Sequence, residues 1–217
     1  MANQTIRLVV GITGASGSIY GWRLLEKLRA SGDAEIHLIL TRSGERTAFL
    51  ELGKAAADFK ALADCSYPVE DIGCRLASGS FPTEGMVIAP CSIHTMSAIA
   101  AGISSNLVIR AADVTLKERR KLVLMVRETP LHAGHLRSMT SLAEMGAIIA
   151  PPVPAFYSRP DSIADMVDHT VGRVLDLFDI DVGAVTRWGE TAGLAPHRTR
   201  AIDDRDAMPA SNRRETP

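Results

Sequence analysis

The sequence predicts an α/β protein in which a doubly wound, mostly parallel sheet is covered by helices. Three observations lead to this prediction. Apolar, β-branched runs such as the first half of residues 6–21 and Lys121–Val126 have the length and composition of strands that are buried on both faces. Segments with apolar residues at helical spacing alternate with these runs. The first run passes directly into a glycine-rich turn that opens a helix, as in parallel sheets that bind ligands beyond the carboxyl ends of their strands.

The glycine-rich turn reads Gly11-Ile-Thr-Gly-Ala-Ser-Gly17. Its glycines permit close backbone approaches, so the amides around Ala15 and Ser16 are predicted to face an anion at the N-terminus of the following helix. The spacing Gly-x-x-Gly-x-x-Gly differs from the dinucleotide fingerprint, and the Lys of a Walker loop is absent. The turn therefore favours a mononucleotide or a small phosphate ester over ATP.

The remaining elements follow from periodicity and from turn signals. In chain order, the sequence predicts a helix over 18–30, a strand over 35–40, a helix over 44–64, an irregular segment over 65–81, a strand over 86–90, helices over 96–102 and 106–119, a strand over 121–126, a helix over 133–145, a strand over 147–150 and a last helix that opens with Ser162-x-x-Asp165. Asn106 is a predicted N-cap, and Ser162 with Asp165 forms a capping box.

Polar side chains directly follow four of the predicted strands. These side chains are Ser16, Thr41, Ser92, Thr95, Arg127 and Glu128. Because the carboxyl ends of parallel strands lie at one edge of a sheet, four loops are expected to meet in one crevice. Hydroxyl groups, helix N-termini and an arginine suit a phosphate, so this crevice is the predicted binding site.

Composition restricts the protein class. A chain of 217 residues with 46% hydrophobic content can bury a full core, and we expect one domain over 1–190 followed by a polar tail over 191–217. The net charge of −1 gives no electrostatic case for nucleic acid or an anionic membrane. The three cysteines form no Cys-x-x-Cys pair, which argues against disulfides and structural zinc. Without a signal peptide or a membrane span in the sequence, a cytoplasmic location is expected.

Several other chemistries are disfavoured. Cys91 has no nameable partner base, so a buried thiol is preferred over a nucleophile. His132 and His135 lack a third metal ligand at suitable spacing, and no metal site is predicted. None of Tyr20, Tyr67 or Tyr157 is followed four residues later by the Lys of short-chain reductases, and Ser16 is not in a Gly-x-Ser-x-Gly elbow.

Taken together, the longer motifs resemble the flavin prenyltransferases of the UbiX type, which include small subunits of phenolic-acid decarboxylase systems. The resemblance covers about residues 6–190 and rests on Gly11-Ile-Thr-Gly-Ala-Ser-Gly17, Ser78-Gly-Ser80, Ala89-Pro-Cys-Ser92, the segment from Asn106 to Arg120, Arg127-Glu-Thr-Pro-Leu131, Pro154-Ala-Phe-Tyr157 and Arg187-Trp-Gly-Glu190. It implies a Rossmann or flavodoxin-like three-layer sandwich, usually dodecameric. The implied activity joins a dimethylallyl group to N5 and C6 of reduced FMN, and the prenylated FMN serves a UbiD-type decarboxylase.

The resemblance also implies three groups of site residues. The FMN site would comprise Gly14, Ala15, Ser16, Thr41, Ser92, Ile93, His94, Thr95 and Arg127. The prenyl-phosphate site would comprise Ser78, Arg110, Lys117, Glu128, Tyr157 and Arg173, some of them from neighbouring subunits. Ser16 and Glu51 would handle protons near the flavin. Two positions depart from the common pattern, since Thr41-Arg42 stands where Ser-Lys is frequent and His94 where Lys or Gly is frequent.

Prenyl transfer proceeds through an allylic cation, so the departing phosphate must be held by fixed cations and donors while water is kept out. Arg110, Lys117, Arg173 and the Tyr157 hydroxyl are suitable donors, and no metal is needed. Glu51 is the expected base for loss of the C6 proton, with its pKa raised by desolvation. An FMN-dependent cysteine-decarboxylase-like flavoprotein and a non-catalytic FMN carrier are the alternatives.

Overall fold

The computed structural model describes residues 6–189, and the predicted tail over 191–217 lies outside them. The chain divides into a first compact unit that ends at Thr186 and a second that begins at Arg187. The first unit contains six strands and seven α-helices among its described residues. They are β1 (Ile6–Ile12), α1 (Ser18–Ser31), β2 (Ala34–Leu40), α2 (Arg42–Leu52), α3 (Ala56–Ala61), β3 (Cys65–Tyr67), β4 (Gly85–Cys91), α4 (Ile93–Ala100), α5 (Leu107–Lys117), β5 (Lys121–Val126), α6 (Ala133–Glu144), β6 (Ile148–Ile149) and α7 (Ile163–Asp176).

The strands form one parallel sheet in the order β3-β2-β1-β4-β5-β6. The chain first winds outward from β1 to β3 and then returns to pair β4 with the other side of β1. The strand order therefore reverses between β1 and β4, where Gly11 is in register with Ile88. This topology confirms the predicted doubly wound α/β fold, and it creates a crevice at the carboxyl ends of β1 and β4.

Helices cover both faces of the sheet because alternate residues of the strands are apolar on both sides. In β1, Leu8 and Ile12 pack with the core that contains buried residues of α1, α2, α3 and α7, whereas Val9 packs with the core of α4, α5 and α6. On the first face, the Arg23 guanidinium in α1 donates hydrogen bonds of 2.7 and 2.6 Å to the two carboxylate oxygens of Asp168 in α7.

Two predicted segments differ from the structure by more than their end residues. The single helix expected over 44–64 is two helices, because Gly53 ends α2 in the left-handed conformation, with φ of 65°. The segment 65–81, expected to be irregular, begins with the three-residue strand β3, which pairs with β2 through His37 and Cys65. A strand this short has too few residues for a recognisable alternation. Among the helices of residues 6–189, none combines the length and apolar character needed to cross a membrane.

Candidate functional site

The four polar loops meet at the carboxyl edge of the sheet. The Thr13 hydroxyl donates to the carbonyl oxygen of Pro90 at 2.7 Å and accepts from the backbone nitrogen of Ser92 at 2.9 Å, which joins the loops after β1 and β4. Gly14 faces the loop after β2 so closely that a Cβ built on it would lie 2.6 Å from Cβ of Ser43. Thr13 was not singled out from the sequence, although it lies within the glycine-rich turn, whereas Ser43 belongs to the Thr41-Arg42-Ser43 group whose hydroxyls were expected to suit a phosphate.

The loop after β5 completes the crevice with Arg127. Its backbone nitrogen donates to the Cys91 carbonyl at 3.1 Å, and its side chain is exposed beside Gly17, where an added Cβ would lie 4.0 Å from Cγ of Arg127. The next side chain, Glu128, is exposed, and its carboxylate accepts from the Thr129 backbone nitrogen at 3.0 Å. The structure therefore places the long, exposed side chain of Arg127 beside the glycine-rich turn, where its guanidinium can reach an anion.

Glu51 occupies an unexpected position. Its carboxylate accepts hydrogen bonds from the backbone nitrogens of Gly17 at 3.0 and 3.1 Å and of Ser18 at 2.8 Å, at the N-terminus of α1. Partial burial raises the pKa of Glu51, but the Ser16 side chain and the backbone N–H groups of Ser18 and Gly17 outweigh that effect and hold the pKa below its ordinary value. The expectation of a pKa raised by desolvation is therefore wrong for this structure, because a helix N-terminus stabilises the ionised carboxylate.

The predicted phosphate-binding hydroxyl groups are also used as helix caps. The buried Thr41 hydroxyl donates to the Ile12 carbonyl at 3.2 Å and accepts from the Gly44 nitrogen at 3.0 Å, so it caps α2. The Ser92 hydroxyl accepts from the Thr95 nitrogen at 3.3 Å and donates to the Thr95 hydroxyl at 3.1 Å, so it caps α4. These caps explain why α4 begins at Ile93, earlier than predicted, and they fix the loops whose backbone faces the crevice.

The other predicted residues of the FMN site border these caps. Gly14, Ala15 and Ile93 are half-buried, whereas the side chains of Ser16 and His94 are exposed. Glycine backbone that approaches a neighbouring loop closely, together with an exposed hydroxyl and an exposed arginine, fits the phosphate and ring edge of a flavin mononucleotide.

A second polar group forms around the Ser78-Gly79-Ser80 turn. The Arg110 side chain donates to the Ala77 carbonyl at 3.2 Å, and a Cβ added to Gly79 would lie 2.8 Å from Nζ of Lys117. Arg120, which the sequence reasoning missed, donates to the Gly79 carbonyl at 2.8 Å and fixes the turn. The structure thus brings together three of the predicted prenyl-phosphate residues, namely Ser78, Arg110 and Lys117. Arg110 and Lys117 each pair with a carboxylate, that of Asp113 and Glu118 respectively.

Tyr157 and Arg173 lie in a different layer. The Tyr157 hydroxyl is 3.4 Å from Nε2 of His169 in α7, and the Arg173 guanidinium pairs with Asp176 at 2.6 Å. Helix α7 packs on the opposite face of the sheet from α5, which carries Arg110 and Lys117. A single chain therefore does not unite the predicted prenyl-phosphate residues in one place.

The disfavoured groups have structural roles. Burial raises the pKa of the Cys91 thiol to about 12, which leaves it un-ionised and a poor nucleophile at neutral pH. The His132 ring accepts from the Gly134 nitrogen at 3.0 Å as the N-cap of α6 and stacks on His135, with ring centroids 3.6 Å apart.

Comparison with known proteins shows similarity to a flavoprotein family and to flavin prenyltransferases. The family model described as "Flavoprotein" matches residues 2–177. The chain is 54% identical over 183 residues to the flavin prenyltransferase UbiX of Thauera aromatica, which covers 84% of this chain and 94% of the relative.

The structure is also similar to two solved structures of UbiX-type proteins. That of AnUbiX (PadA1) in complex with FMN and dimethylallyl pyrophosphate is 44% identical, has a TM-score of 0.85, and covers 87% of this chain and 100% of that one. The dodecameric FMN-dependent UbiX-like decarboxylase from Escherichia coli O157:H7 is 45% identical, has a TM-score of 0.83, and covers 84% of this chain and 99% of that one. These similarities confirm the resemblance read from the motifs, and the chain belongs to the UbiX family of flavin prenyltransferases.

Proposed function

We propose that this chain joins the dimethylallyl group of a dimethylallyl phosphate ester to N5 and C6 of reduced FMN and so makes prenylated FMN. The observation that carries the proposal is the meeting of four strand-end loops in one crevice, with Arg127 at the glycine-rich turn. The activity named for the Thauera relative, and the two ligands of the AnUbiX structure, supply the reaction class and the substrates.

In this proposal the crevice binds FMN. Gly14, Ala15 and Ser16 approach the flavin through the backbone, and the capped N-termini of α2 and α4 supply further N–H groups near Thr41 and Ser92. Arg127 neutralises part of the phosphate charge. Because the hydroxyl groups of Thr41 and Ser92 already cap helices, their contribution is to shape the loops.

The second group of residues acts on the prenyl donor. The carbon–oxygen bond of the ester breaks and the phosphate leaves with the electron pair, while N5 of the reduced flavin attacks the allylic carbon and releases its own proton to solvent. Ser78, Arg110 and Lys117 are suited to hold the departing phosphate, since the negative charge that develops there is stabilised by fixed cations and donors. Closure of the new ring then requires a proton to add to the CH carbon of the prenyl alkene, which leaves the neighbouring tertiary carbon cationic for attack by C6. The proton on C6 is then lost, and we assign its acceptance to Glu51 with help from Ser16.

The proposal includes the oligomeric state of the protein and the enzyme that receives its product. A homo-oligomer, dodecameric as in the Escherichia coli structure, would bring Tyr157 and Arg173 of one subunit to Ser78, Arg110 and Lys117 of another. The product would pass to a UbiD-type decarboxylase, and the location would be cytoplasmic.

Anaerobic incubation with reduced FMN and dimethylallyl phosphate tests the function. We expect mass analysis of the extracted flavin to show one added five-carbon unit, and a parallel incubation with the diphosphate identifies the preferred donor. Unmodified flavin with both donors would favour the FMN carrier, and loss of carbon dioxide from a cysteine-terminated peptide under oxidising conditions would favour the cysteine-decarboxylase alternative.

A further inference from the structure

Three potential metal ligands lie together at the β2–β3 edge of the sheet. His37 in β2 is in register with Cys65 in β3, and Glu35 lies two residues before His37, so the three side chains project from the same face. One ligand atom of each residue lies within 4.8 Å of the other two. The sequence spacing does not reveal this group, because the two strands are separated by α2 and α3.

The orientation of His37 is fixed and leaves one ring nitrogen available. The side chain is fully buried, and Nδ1 lies 2.9 Å from the Tyr67 hydroxyl. Nε2 lies 3.2 Å from a carboxylate oxygen of Glu35, yet it has no partner in hydrogen-bond geometry among the described residues. An unpartnered imidazole nitrogen beside a carboxylate is what a metal ion between the two atoms would satisfy.

Arg7 and Tyr67 contact two of the three potential ligands, Glu35 and His37, and fix their orientation. Arg7 donates to one carboxylate oxygen of Glu35 at 2.8 Å, which leaves the oxygen nearer His37 for another partner. Tyr67 holds the remote nitrogen of the imidazole, as hydroxyl, carbonyl and carboxylate groups do around metal-bound histidines.

Charge and ligand type favour zinc. The Glu35 carboxylate and a Cys65 thiolate together balance a divalent cation, despite the two nearby arginines. Nitrogen, sulfur and oxygen ligands are the set that zinc accepts, at about 2.0–2.3 Å from each atom. Because Glu35 and Cys65 are only half-buried, small rotations of these side chains suffice to close the group around one ion.

We propose that Glu35, His37 and Cys65 bind one zinc ion, with water as the fourth ligand. This site departs from the expectation of no metal that the cysteine spacing gave. Binding releases the thiol proton of Cys65 to solvent. The site is separate from the flavin crevice, since His37 precedes Thr41 by four strand residues, or about 13 Å. Its effect is to tie the short edge strand β3 to the sheet, and β3 leads into the segment that carries Ser78.

Cobalt(II) is the probe for this site, because a thiolate bound to cobalt gives a charge-transfer absorption that histidine and carboxylate ligands alone do not give. We expect the full-length, metal-free protein to develop this band with saturation at one equivalent, and zinc to abolish it. Cys65→Ser removes the band, whereas the control Cys74→Ser, which changes another half-buried thiol, retains it. Glu35→Gln weakens binding, and Tyr67→Phe, which keeps all three ligands, weakens it by about 10–100-fold.

The proposal predicts in addition that zinc raises the Tm of the wild-type protein and of Cys74→Ser by more than that of Glu35→Gln at the same zinc concentration. It is overturned if the wild-type protein gives no thiolate band, if Cys65→Ser retains the band, or if Cys74→Ser loses it. Should Cys65→Ser fail to fold, Glu35→Gln and Tyr67→Phe decide the question, and unchanged cobalt affinity in both would overturn the proposal.

Discussion

The Glu51 carboxylate lies 2.8 Å from the backbone nitrogen of Ser18, so a side chain of α2 supplies the negative charge at the N-terminus of α1. The glycine-rich turn has the geometry expected of an anion site, and part of that site is filled from within the chain. The amides of Gly17 and Ser18 therefore bind a carboxylate, which leaves the earlier part of the turn, around Gly14 and Ala15, to face a ligand.

This contact makes stability depend on pH. The folded-state pKa of Glu51 is below its ordinary value, so the stabilisation is present above the unfolded pKa and is lost as the pH falls through the folded pKa. Because the carboxylate is exposed, we expect Glu51→Gln to lower the free energy of unfolding by only about 0.3–1 kcal/mol at pH 7. Urea unfolding at pH 7 and pH 3 measures the free energy of unfolding of the variant and of the wild type. The difference between the two proteins should be smaller at pH 3 than at pH 7. Glu144→Gln, an exposed change at the end of α6, is the control and should show neither effect.

The fold could be predicted from the sequence because its strands and most of its helices carry strong periodic patterns. Lys121–Val126 is a strand at the predicted residues, and Asn106 and Ser162 cap α5 and α7 as expected. The break after α2 depended on the conformation of one glycine, and β3 is held by pairing with β2, so neither was visible in local composition.

The meeting of the four loops was equally predictable, because parallel topology alone brings strand ends together. The hydrogen-bond partners of the individual site residues were not predictable. The sequence could not show that Thr41 caps a helix, or that Glu51 folds back onto α1, because both depend on distances between separate loops. The layers that separate Lys117 from Arg173 likewise emerge only from packing. The cytoplasmic location and the nature of residues 191–217 stay predictions.

Arg127 provides a test of the FMN site. Arg127→Ala should weaken FMN binding by about 1.5–3 kcal/mol, since a hydrogen bond to a charged group is lost. Flavin fluorescence titration measures the effect. Arg29→Ala is the control, because Arg29 pairs with Asp64 away from the crevice and its loss should leave FMN affinity unchanged. Equal affinity in both variants would remove Arg127 from the site.

Lys117 and Arg173 lie on opposite faces of the sheet, so one prenyl-phosphate site would need two subunits. Variants of these two residues are therefore expected to complement each other in a mixed oligomer. Lys117→Ala and Arg173→Ala should each slow prenylation at saturating FMN while leaving FMN affinity nearly intact. If the two cations of one site come from different subunits, dissociating and reassembling a mixture of the variants restores activity at about a quarter of the sites.

The matched control mixes Lys117→Ala with Arg110→Ala. Both residues lie on α5, so every subunit in this mixture is defective on the same side and no activity returns. Restoration in the control mixture, or none in the Lys117 and Arg173 mixture, would contradict the assignment of these cations to two subunits.

Glu51 is expected to act only in the second of the two bond-forming steps, the closure of the ring at C6. Glu51 is ionised in this structure, so it can accept a proton, but its hydrogen bonds to Gly17 and Ser18 make it a weak base. Flavin bound in the crevice would exclude water from the carboxylate and raise its basicity at the stage when the C6 proton must leave. Glu51→Gln keeps the size of the side chain and removes this capacity.

Glu51→Gln should therefore form the N5–prenyl bond at nearly the wild-type rate and then close the ring about 10²–10⁴-fold more slowly. Mass analysis does not separate the open adduct from the closed ring, since the two differ at most by protons, so the flavin absorption spectrum is followed in time. Lys117→Ala is the comparison variant, because loss of a phosphate-binding cation slows the first step and leaves no open adduct to accumulate. Ring closure by Glu51→Gln at the wild-type rate would leave Glu51 with the role of a helix cap alone, and the proton would then have to leave through Ser16 or water.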